Sequence, residues 1–230
     1  MALYLGNKKV AVTNTIEKQV PSMKAFFEAG GKCAQSTATS FEGCWQFDDT
    51  ANVTSMRNMF SNCYSLTSVP LFDTSKVTDM AYMFRECSSL TTVPQFDTSN
   101  VTSMIYMFYN CSKLTTVPQF NTSKVTDMYN MFYNCSKLTT VPQFDTSKVT
   151  DIGNMFFGCS SLEAIHMINI NANLSISSST KFTREALLEI IGNLKTQTSG
   201  TKTLTMGATN LAKLTDEDKA IATNKGWTLA

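Results

Sequence analysis

Apolar residues recur at eight fixed positions of a 24-residue pattern in the middle of the chain. The segment VTDMAYMFRECSSLTTVPQF (residues 77–96) returns almost unchanged at 101–120 and 125–144, and more loosely at 53–72 and 149–168. Tandem repeats of this length are typical of solenoids, in which each repeat buries its apolar side only by stacking on its neighbours. The pattern therefore predicts five stacked coils around one continuous core.

Each coil carries two different local signals. The eight apolar positions of the second coil are Val77, Met80, Met83, Phe84, Cys87, Leu90, Val93 and Phe96. Spacings of three and four over the first half, with Thr78 as N-cap, predict a helix of one to two turns at about residues 78–86. The Leu-Thr-Thr-Val run is β-prone and predicts a short parallel strand that ends at Pro94. The predicted fold class is an α/β repeat solenoid, with parallel β-strands on one face and short helices on the other.

Looser sequence on both sides of the repeats predicts capping units for the open ends of the core. Residues 1–47 are interpreted as an N-terminal capping segment, because they hold a degenerate half-repeat around Met23. Residues 48–169 contain the five repeats, and residues 170–230 are interpreted as C-terminal helix–strand capping units. The three segments are expected to form one continuous solenoid domain.

The C-terminal segment has clear helix-start signals. Thr183 is the expected N-cap of one helix, and Thr215 with Asp218 forms the expected capping box of a second helix. The two tryptophans, Trp45 and Trp227, stand near opposite ends of the chain. Both are therefore interpreted as lids over the core.

Cysteine occupies one of the periodic columns. Its five members are Cys63, Cys87, Cys111, Cys135 and Cys159. Neighbours in such a column lie about 5 Å apart, but their Cβ vectors run parallel, which disfavours a disulfide. Buried free thiols are therefore predicted; a soft-metal site shared with the methionine columns is the less favoured alternative, because the spacing is that of a core. A bridge between Cys33 and Cys44 is left open.

A mostly acidic column follows the last core position of each coil. Its members are Asp73, Asp97, Asn121 and Asp145. Two stacked carboxylates could share a calcium ion, but turn caps neutralised by nearby lysines are the favoured interpretation. No metal and no cofactor are therefore predicted.

The overall composition gives no sign of binding to nucleic acid or membranes. The net charge of +1 gives no general attraction to nucleic acid or to membrane surfaces. No run of 18 apolar residues occurs, so membrane insertion is not expected. The opening MALYLGNKKVAVTN lacks the apolar stretch of a signal peptide, and no wall or lipid anchor is visible.

The fixed letters of the repeat resemble a known family. The pattern MF-x-x-C-x-x-L-T-x-V-P-x-F-D-T-S-x-V-T-x-M, over about residues 41–169, resembles the BspA-type leucine-rich repeat of bacterial surface proteins. The final segment, TKTLTMGATNLAKLTDEDKAIATNKGWTLA, resembles the end of such proteins from gut Firmicutes and their prophages. The resemblance implies a leucine-rich-repeat-like solenoid used in adhesion, encoded by a prophage, and located at a cell surface, outside the cell or on a virion.

An enzyme is not expected, because no catalytic constellation is found. His166 is the single histidine and replaces a proline at a strand end. Cys159 could pair with it only by leaving the core column. Phosphate-cradling glycine loops, HExxH and CxxC motifs are absent from the sequence.

Variable positions between the core columns are the candidate binding surface. The aromatic residues at these positions are Tyr82, Tyr106, Tyr109, Tyr129, Tyr133 and Phe157. Tyrosine combines apolar area with a hydroxyl and suits contact with protein or sugar; the alternative is that these rings only pack on one another. The strand side carries threonine columns and Gln95, Gln119 and Gln143, which are equally typical of any exposed strand.

Two functions follow from these features. The first is a non-enzymatic recognition or adhesion module that binds a protein or glycan on a host or bacterial cell surface. The second is a structural or assembly component of a phage or surface structure, without a small-molecule ligand. The sequence leaves the oligomeric state open.

Overall fold

A computed structural model describes residues 50–230 and, near the N-terminus, the backbone of a two-stranded antiparallel hairpin. The hairpin consists of β1 (Leu3–Leu5) and β2 (Lys8–Val10). A 3₁₀ turn at Thr50–Asn52 leads into the first coil. Within the described part of the chain, no helix has the length and apolarity needed to cross a membrane.

Several expectations for the N-terminal capping segment, residues 1–47, lie outside the described residues. They are the half-repeat around Met23, the open question of a Cys33–Cys44 bridge, and the lid role of Trp45. These three remain predictions.

The repeats stack as a solenoid with parallel pairing between coils, which confirms the predicted fold class. β3 (Thr140–Val141) pairs in parallel with β4 (Ala164–Ile165). Single amide bonds continue this line through the earlier coils, from Thr115 N to Thr91 O (3.3 Å) and from Thr91 N to Thr67 O (3.2 Å). A second line of parallel bridges joins the first part of every coil, in the order Ser55, Asp79, Ser103, Asp127 and Asp151.

The helix predicted at about residues 78–86 is wrong. In this segment the amides of Met80, Tyr82 and Phe84 donate to carbonyls of the next coil at 2.8–3.1 Å. The intervening amides close tight turns within the coil, as from Met83 N to Met80 O (3.2 Å). Thr78 does not cap a helix, since its hydroxyl donates to a carbonyl of the previous coil. Every second amide thus joins two coils, a bond that a helix would have kept within its own coil.

The turns place two residues per coil at positive φ. At the first position these are Asn58 (60°), Tyr82 (60°), Tyr106 (55°), Asn130 (55°) and Asn154 (51°). At the second they are Asn62 (66°), Glu86 (65°), Asn110 (59°), Asn134 (57°) and Gly158 (76°). Glycine and asparagine adopt this left-handed conformation at the lowest cost, so the asparagine-rich columns are signals of turns.

The core matches the apolar columns of the sequence, which are buried in every described coil. One ladder of rings runs through it: Phe60, Phe84, Phe108, Phe132 and Phe156, with successive centroids 5.3, 5.5, 5.6 and 6.0 Å apart. Each ring is fully buried, and burial of a phenylalanine side chain is worth about 1.5–3 kcal/mol. Because each ring contacts the coil above and the coil below, the ladder makes the stability of each coil depend on its neighbours.

The five column cysteines are free and buried, as predicted. They also have a polar role that the sequence does not reveal. Cys87, Cys111, Cys135 and Cys159 each donate Sγ–H to a phenylalanine carbonyl of the previous coil, at 3.0–3.1 Å. Burial raises the pKa of the Cys159 thiol to about 12, which keeps it protonated and able to donate.

The last repeat is one residue shorter than the others. In three earlier coils a buried threonine hydroxyl donates to a carbonyl 23 residues ahead, but Thr146 donates to Ile168, only 22 ahead. Ile165 follows Val141 in the β3–β4 register, and Met167 is already back in the core. His166 therefore stands alone where the three preceding coils have Pro-Gln, which corrects the residue-for-residue match of 165–168 to Val-Pro-Gln-Phe.

The C-terminal segment forms a three-stranded parallel sheet with helices between its strands. The strand order is β5–β6–β7. The elements are β5 (Leu174–Ser175), α1 (Arg184–Gly192), β6 (Lys202–Thr205), α2 (Ala208–Leu211), α3 (Asp216–Asn224) and β7 (Trp227–Leu229). The predicted helix–strand order is confirmed, with α2 as an additional short helix.

The predicted capping residues of this segment are confirmed. Thr183 accepts the amide of Ala186 (3.2 Å), and Thr215 with Asp218 forms the capping box of α3. Arg184 also donates two hydrogen bonds to the Asp218 carboxylate, at 2.6 and 2.8 Å. This interaction is the largest cause of the lowered pKa of Asp218. Trp227 is buried at the end of the core, as expected for a lid.

Candidate binding surface

The six aromatic residues singled out in the sequence come together on the turn segments of successive coils. Stacked pairs are Tyr82–Tyr106 (4.9 Å between centroids), Tyr109–Tyr133 (4.8 Å) and Tyr133–Phe157 (4.8 Å). Tyr106 joins the two rows, tilted against Tyr109 (5.1 Å) and edge-on to Tyr129 (5.6 Å). We name this continuous surface of six residues the aromatic strip.

The repeat explains why these rings meet. Tyr109, Tyr133 and Phe157 are 24 residues apart and so occupy one column, and Tyr82 and Tyr106 occupy another. The distance between hydrogen-bonded coils is about 4.8 Å, which is also a favourable distance for offset ring stacking. Aromatic residues at equivalent positions of adjacent coils therefore stack without any adjustment of the backbone.

Two arginines extend the strip at the end nearer the N-terminus. The Arg57 guanidinium lies 4.7 Å from the Tyr82 ring centroid, and that of Arg85 lies 5.6 Å from the Tyr109 centroid. Each also pairs with a carboxylate at 3.5 Å, Arg57 with Asp79 and Arg85 with Glu86. Arg85 lies at one of the variable positions that were expected to form the binding surface, whereas sequence reasoning did not place Arg57 there. Both arginines occupy columns that carry a strip tyrosine in a later coil.

Stacking leaves the ring edges and hydroxyls as the accessible part of the strip. The five tyrosines are half-buried, whereas Phe157, the last ring of its row, is 52% exposed. Burial and the neighbouring Tyr133 raise the pKa of Tyr109, which keeps its hydroxyl protonated. The rings thus pack on one another, and each tyrosine still keeps part of its surface exposed.

Two strip tyrosines stand in an unfavourable backbone conformation. Tyr82 and Tyr106 have φ values of 60° and 55°, whereas Asn58, Asn130 and Asn154 occupy the same position in the other coils. The left-handed conformation costs a non-glycine residue about 1–2 kcal/mol, and asparagine less than most. The asparagine column in the sequence was the signal that could have revealed this.

The acidic column serves as turn caps, as the favoured interpretation predicted. Asp73, Asp97 and Asp145 each accept the amide of the serine two residues ahead, at 2.9–3.0 Å. Hydrogen bonds from that serine are the main cause of the lowered pKa of Asp73 and Asp97. Among the described residues, no group of three or more His, Cys, Asp or Glu side chains is arranged to hold a metal ion.

His166 and Cys159 do not form a dyad. The Cys159 thiol is buried and donates to Phe132 O (3.0 Å). His166 is instead half-exposed, and its Nδ1 lies 2.7 Å from Glu189 Oε1.

The fold defines a class of protein, the leucine-rich-repeat solenoid. The family described as "Mycoplasma protein of unknown function, DUF285" matches residues 21–139 and 114–184, more than half of the chain. The chain therefore belongs to the DUF285 family.

One solved structure supports the same class of fold. The crystal structure of the T. pallidum leucine-rich repeat protein TpLRR is similar over 77% of this chain and 79% of that one, with 17% identity and a TM-score of 0.52. A leucine-rich repeat protein from Bacteroides ovatus matches over 78% of this chain and 58% of its own, with 16% identity and a TM-score of 0.29. No curated protein sequence matches. These similarities are consistent with the BspA-type resemblance of the repeat.

Proposed function

We propose that this protein is a non-enzymatic recognition module that binds a protein on a cell surface through the aromatic strip. The observation that carries the proposal is the presence of Tyr82 and Tyr106 at left-handed positions where the other coils have asparagine. Strained residues of this kind concentrate at functional sites.

Ring contacts and backbone strain at these two positions are of similar size. Two left-handed tyrosines cost about 2–4 kcal/mol, and each ring–ring contact contributes about 0.5–1.5 kcal/mol beyond the burial of apolar area. Tyr82 and Tyr106 make three ring contacts within the strip. Asparagine would avoid much of the strain, and what tyrosine adds at these positions is surface: aromatic edges and hydroxyls, which are enriched in protein interfaces.

The ring geometry favours a protein over a glycan as the partner. Sugars bind aromatic residues mainly through free ring faces, but the two faces of Tyr133 are covered by Tyr109 and Phe157. Arg57 lies over one face of Tyr82 and Tyr106 over the other. Edges, hydroxyls and arginines are the groups that remain, and they match a partner with both apolar and hydrogen-bonding side chains. A cell-surface or virion location and a prophage origin rest on the resemblance of the repeat and of the final segment.

Binding to intact cells tests the proposal. The labelled protein is titrated onto host and bacterial cells, with and without prior protease treatment of the cells, and onto a glycan array. We compare a Tyr82→Asn/Tyr106→Asn variant with a Thr92→Ala/Thr116→Ala control, whose two exposed sites on the strand side are also one coil apart. We expect saturable, protease-sensitive binding that weakens at least about tenfold in the tyrosine variant alone, because hot-spot tyrosines contribute about 2 kcal/mol or more.

Other outcomes would assign a different function. Equal binding by the wild type and the folded tyrosine variant would refute the role of the strip. Binding that survives protease, recurs on the array and weakens in the tyrosine variant would indicate that the strip binds a glycan. Absence of binding together with a stable homo-oligomer in light scattering would favour the structural or assembly role.

A further inference from the structure

A polar groove opens where the regular coils meet the C-terminal segment. It consists of two adjoining hollows of about 450 Å³ and about 330 Å³, which share Gln119, Gln143 and Ile168. These volumes fall in the range of small-ligand sites. None of the residues that line the hollows belongs to the aromatic strip, so the groove is independent of the proposed function.

The groove is a consequence of the shortened last repeat. In the regular coils each glutamine amide is used by the next coil: Gln95 Nε2 donates to Gln119 O (2.7 Å), and Gln119 Nε2 donates to Gln143 O. The row stops at Gln143, because the last repeat has only His166 where the three repeats before it have Pro-Gln. Among the described residues, the Gln143 side chain has no hydrogen-bond partner, and it lines both hollows. A free carboxamide therefore lies at the centre of the groove.

Other groups around Gln143 are both donors and acceptors. The His166 Nδ1–Glu189 Oε1 contact of 2.7 Å holds an imidazole and a carboxylate on one side. Asp145 lies on the other side; burial raises its pKa, but hydrogen bonds from Asn169 and Ser147 outweigh this and leave the pKa below its usual value. The Asp145 carboxylate is therefore available as an acceptor at neutral pH.

The floor of the groove is apolar. Pro142 and Ile168 contribute to the larger hollow, and Phe120 and Ile168 to the smaller one. No lysine or arginine lines either hollow, and Lys148 is the single cation that contributes to the lowered pKa of Asp145. A ligand with negative charge would therefore face two carboxylates with little compensation.

We propose that this groove binds one unit of a neutral carbohydrate. A pyranose ring presents hydroxyls that both donate and accept, and it also has an apolar face. The hydroxyls match the free Gln143 carboxamide and the carboxylates of Asp145 and Glu189, and the apolar face matches the Pro142–Ile168 floor. Sugar recognition here requires no aromatic ring face, in contrast to the usual stacking mode.

Calorimetric titration of the full chain with neutral tetrasaccharides tests this proposal. Maltotetraose and chitotetraose are titrated to about 10 mM, so that a Kd near 1 mM is measurable. Sialyllactose serves as the anionic comparison, and a short lysine peptide as the cationic one. In the Gln143→Ala/Glu189→Ala variant, binding should weaken about tenfold or more, since each lost hydrogen bond contributes about 0.5–1.5 kcal/mol.

The matched control is Gln95→Ala, which changes the same glutamine row two coils before Gln143, at a residue that lines neither hollow. Binding of a neutral tetrasaccharide should stay within about twofold for this control and for the Tyr82→Asn/Tyr106→Asn variant. No binding of either neutral sugar, equal binding by the groove variant, or preferential binding of sialyllactose or the lysine peptide would overturn the proposal. The tyrosine variant separates this outcome from failure of the proposed strip function.

Discussion

Asn134 provides a direct test of the turn backbone that replaces the predicted helix. Its φ is 57°, and its amide donates to Phe157 O of the next coil at 2.7 Å. Its side chain is exposed and has no hydrogen-bond partner among the described residues. Substitution by alanine or glycine therefore changes little except the preference of the backbone for the left-handed conformation.

The two backbones predict opposite orders of stability for these variants. In the turn, alanine carries a left-handed cost of about 1–2 kcal/mol that glycine does not have. Even after the entropy of a more flexible unfolded chain is subtracted, Asn134→Gly should be about 1 kcal/mol more stable than Asn134→Ala. In a helix the order reverses, because alanine is favoured over glycine by about 0.8–1.0 kcal/mol.

Thermal and urea unfolding of the wild type and both variants decides between the two orders. A difference of 1 kcal/mol corresponds to a shift in Tm of about 2–4 °C in a chain of this size. We expect Asn134→Ala to have the lowest Tm of the three proteins and Asn134→Gly to lie within about 2–4 °C of the wild type. An alanine variant at least as stable as the glycine variant would refute the left-handed turn.

Three further predictions concern the core and the C-terminal segment. The Cys159 thiol, with a pKa of about 12, should resist alkylation in the native protein and react only on unfolding. Because its folded pKa lies above the unfolded value, the stability that the thiol contributes should be lost as pH rises from about 9 to about 12. Urea midpoints measured across this pH range will show the loss. Phe108→Ala, in the middle of the ring ladder, should lower the free energy of unfolding by about 3–5 kcal/mol in urea titrations. A decrease of less than about 1 kcal/mol would contradict a shared core. The Asp218 carboxylate has a lowered pKa, chiefly through its hydrogen bonds from Arg184. Its contribution to stability should therefore be present above pH about 4 and lost as pH falls below that value. Asp218→Asn should remove this acid dependence, and a variant with the same pH profile of stability as the wild type would contradict the prediction.

Much of the candidate site could be predicted because position in a solenoid follows from position in the repeat. Once Cys63 and Cys87 are recognised as equivalent, Tyr109 and Tyr133 must also be neighbours, whatever the local backbone is. The same reasoning did not reveal the polar groove. The groove opens because one residue is missing near His166. Ile165, Met167 and Ile168 are all apolar, so the sequence pattern alone does not show which of them occupy the core columns and where the deletion lies.

The sequence by itself determined the repeat, the core columns and the capping residues. Burial requires an apolar side chain at each inward position of every coil, so the 24-residue period is written directly into the chain. Thr183 and Thr215 were equally readable, because an N-cap involves only residues within one turn of itself.

Only the tertiary structure decided how the first half of each coil is built. Spacings of three and four are shared by a helix and by the two successive turns observed here, so periodicity cannot separate them. The deciding bonds, such as Phe84 N to Met107 O (2.9 Å), join residues of different coils. A helix would satisfy its amides alone, whereas these turns leave half of them for the neighbouring coil, and stacking supplies the partners.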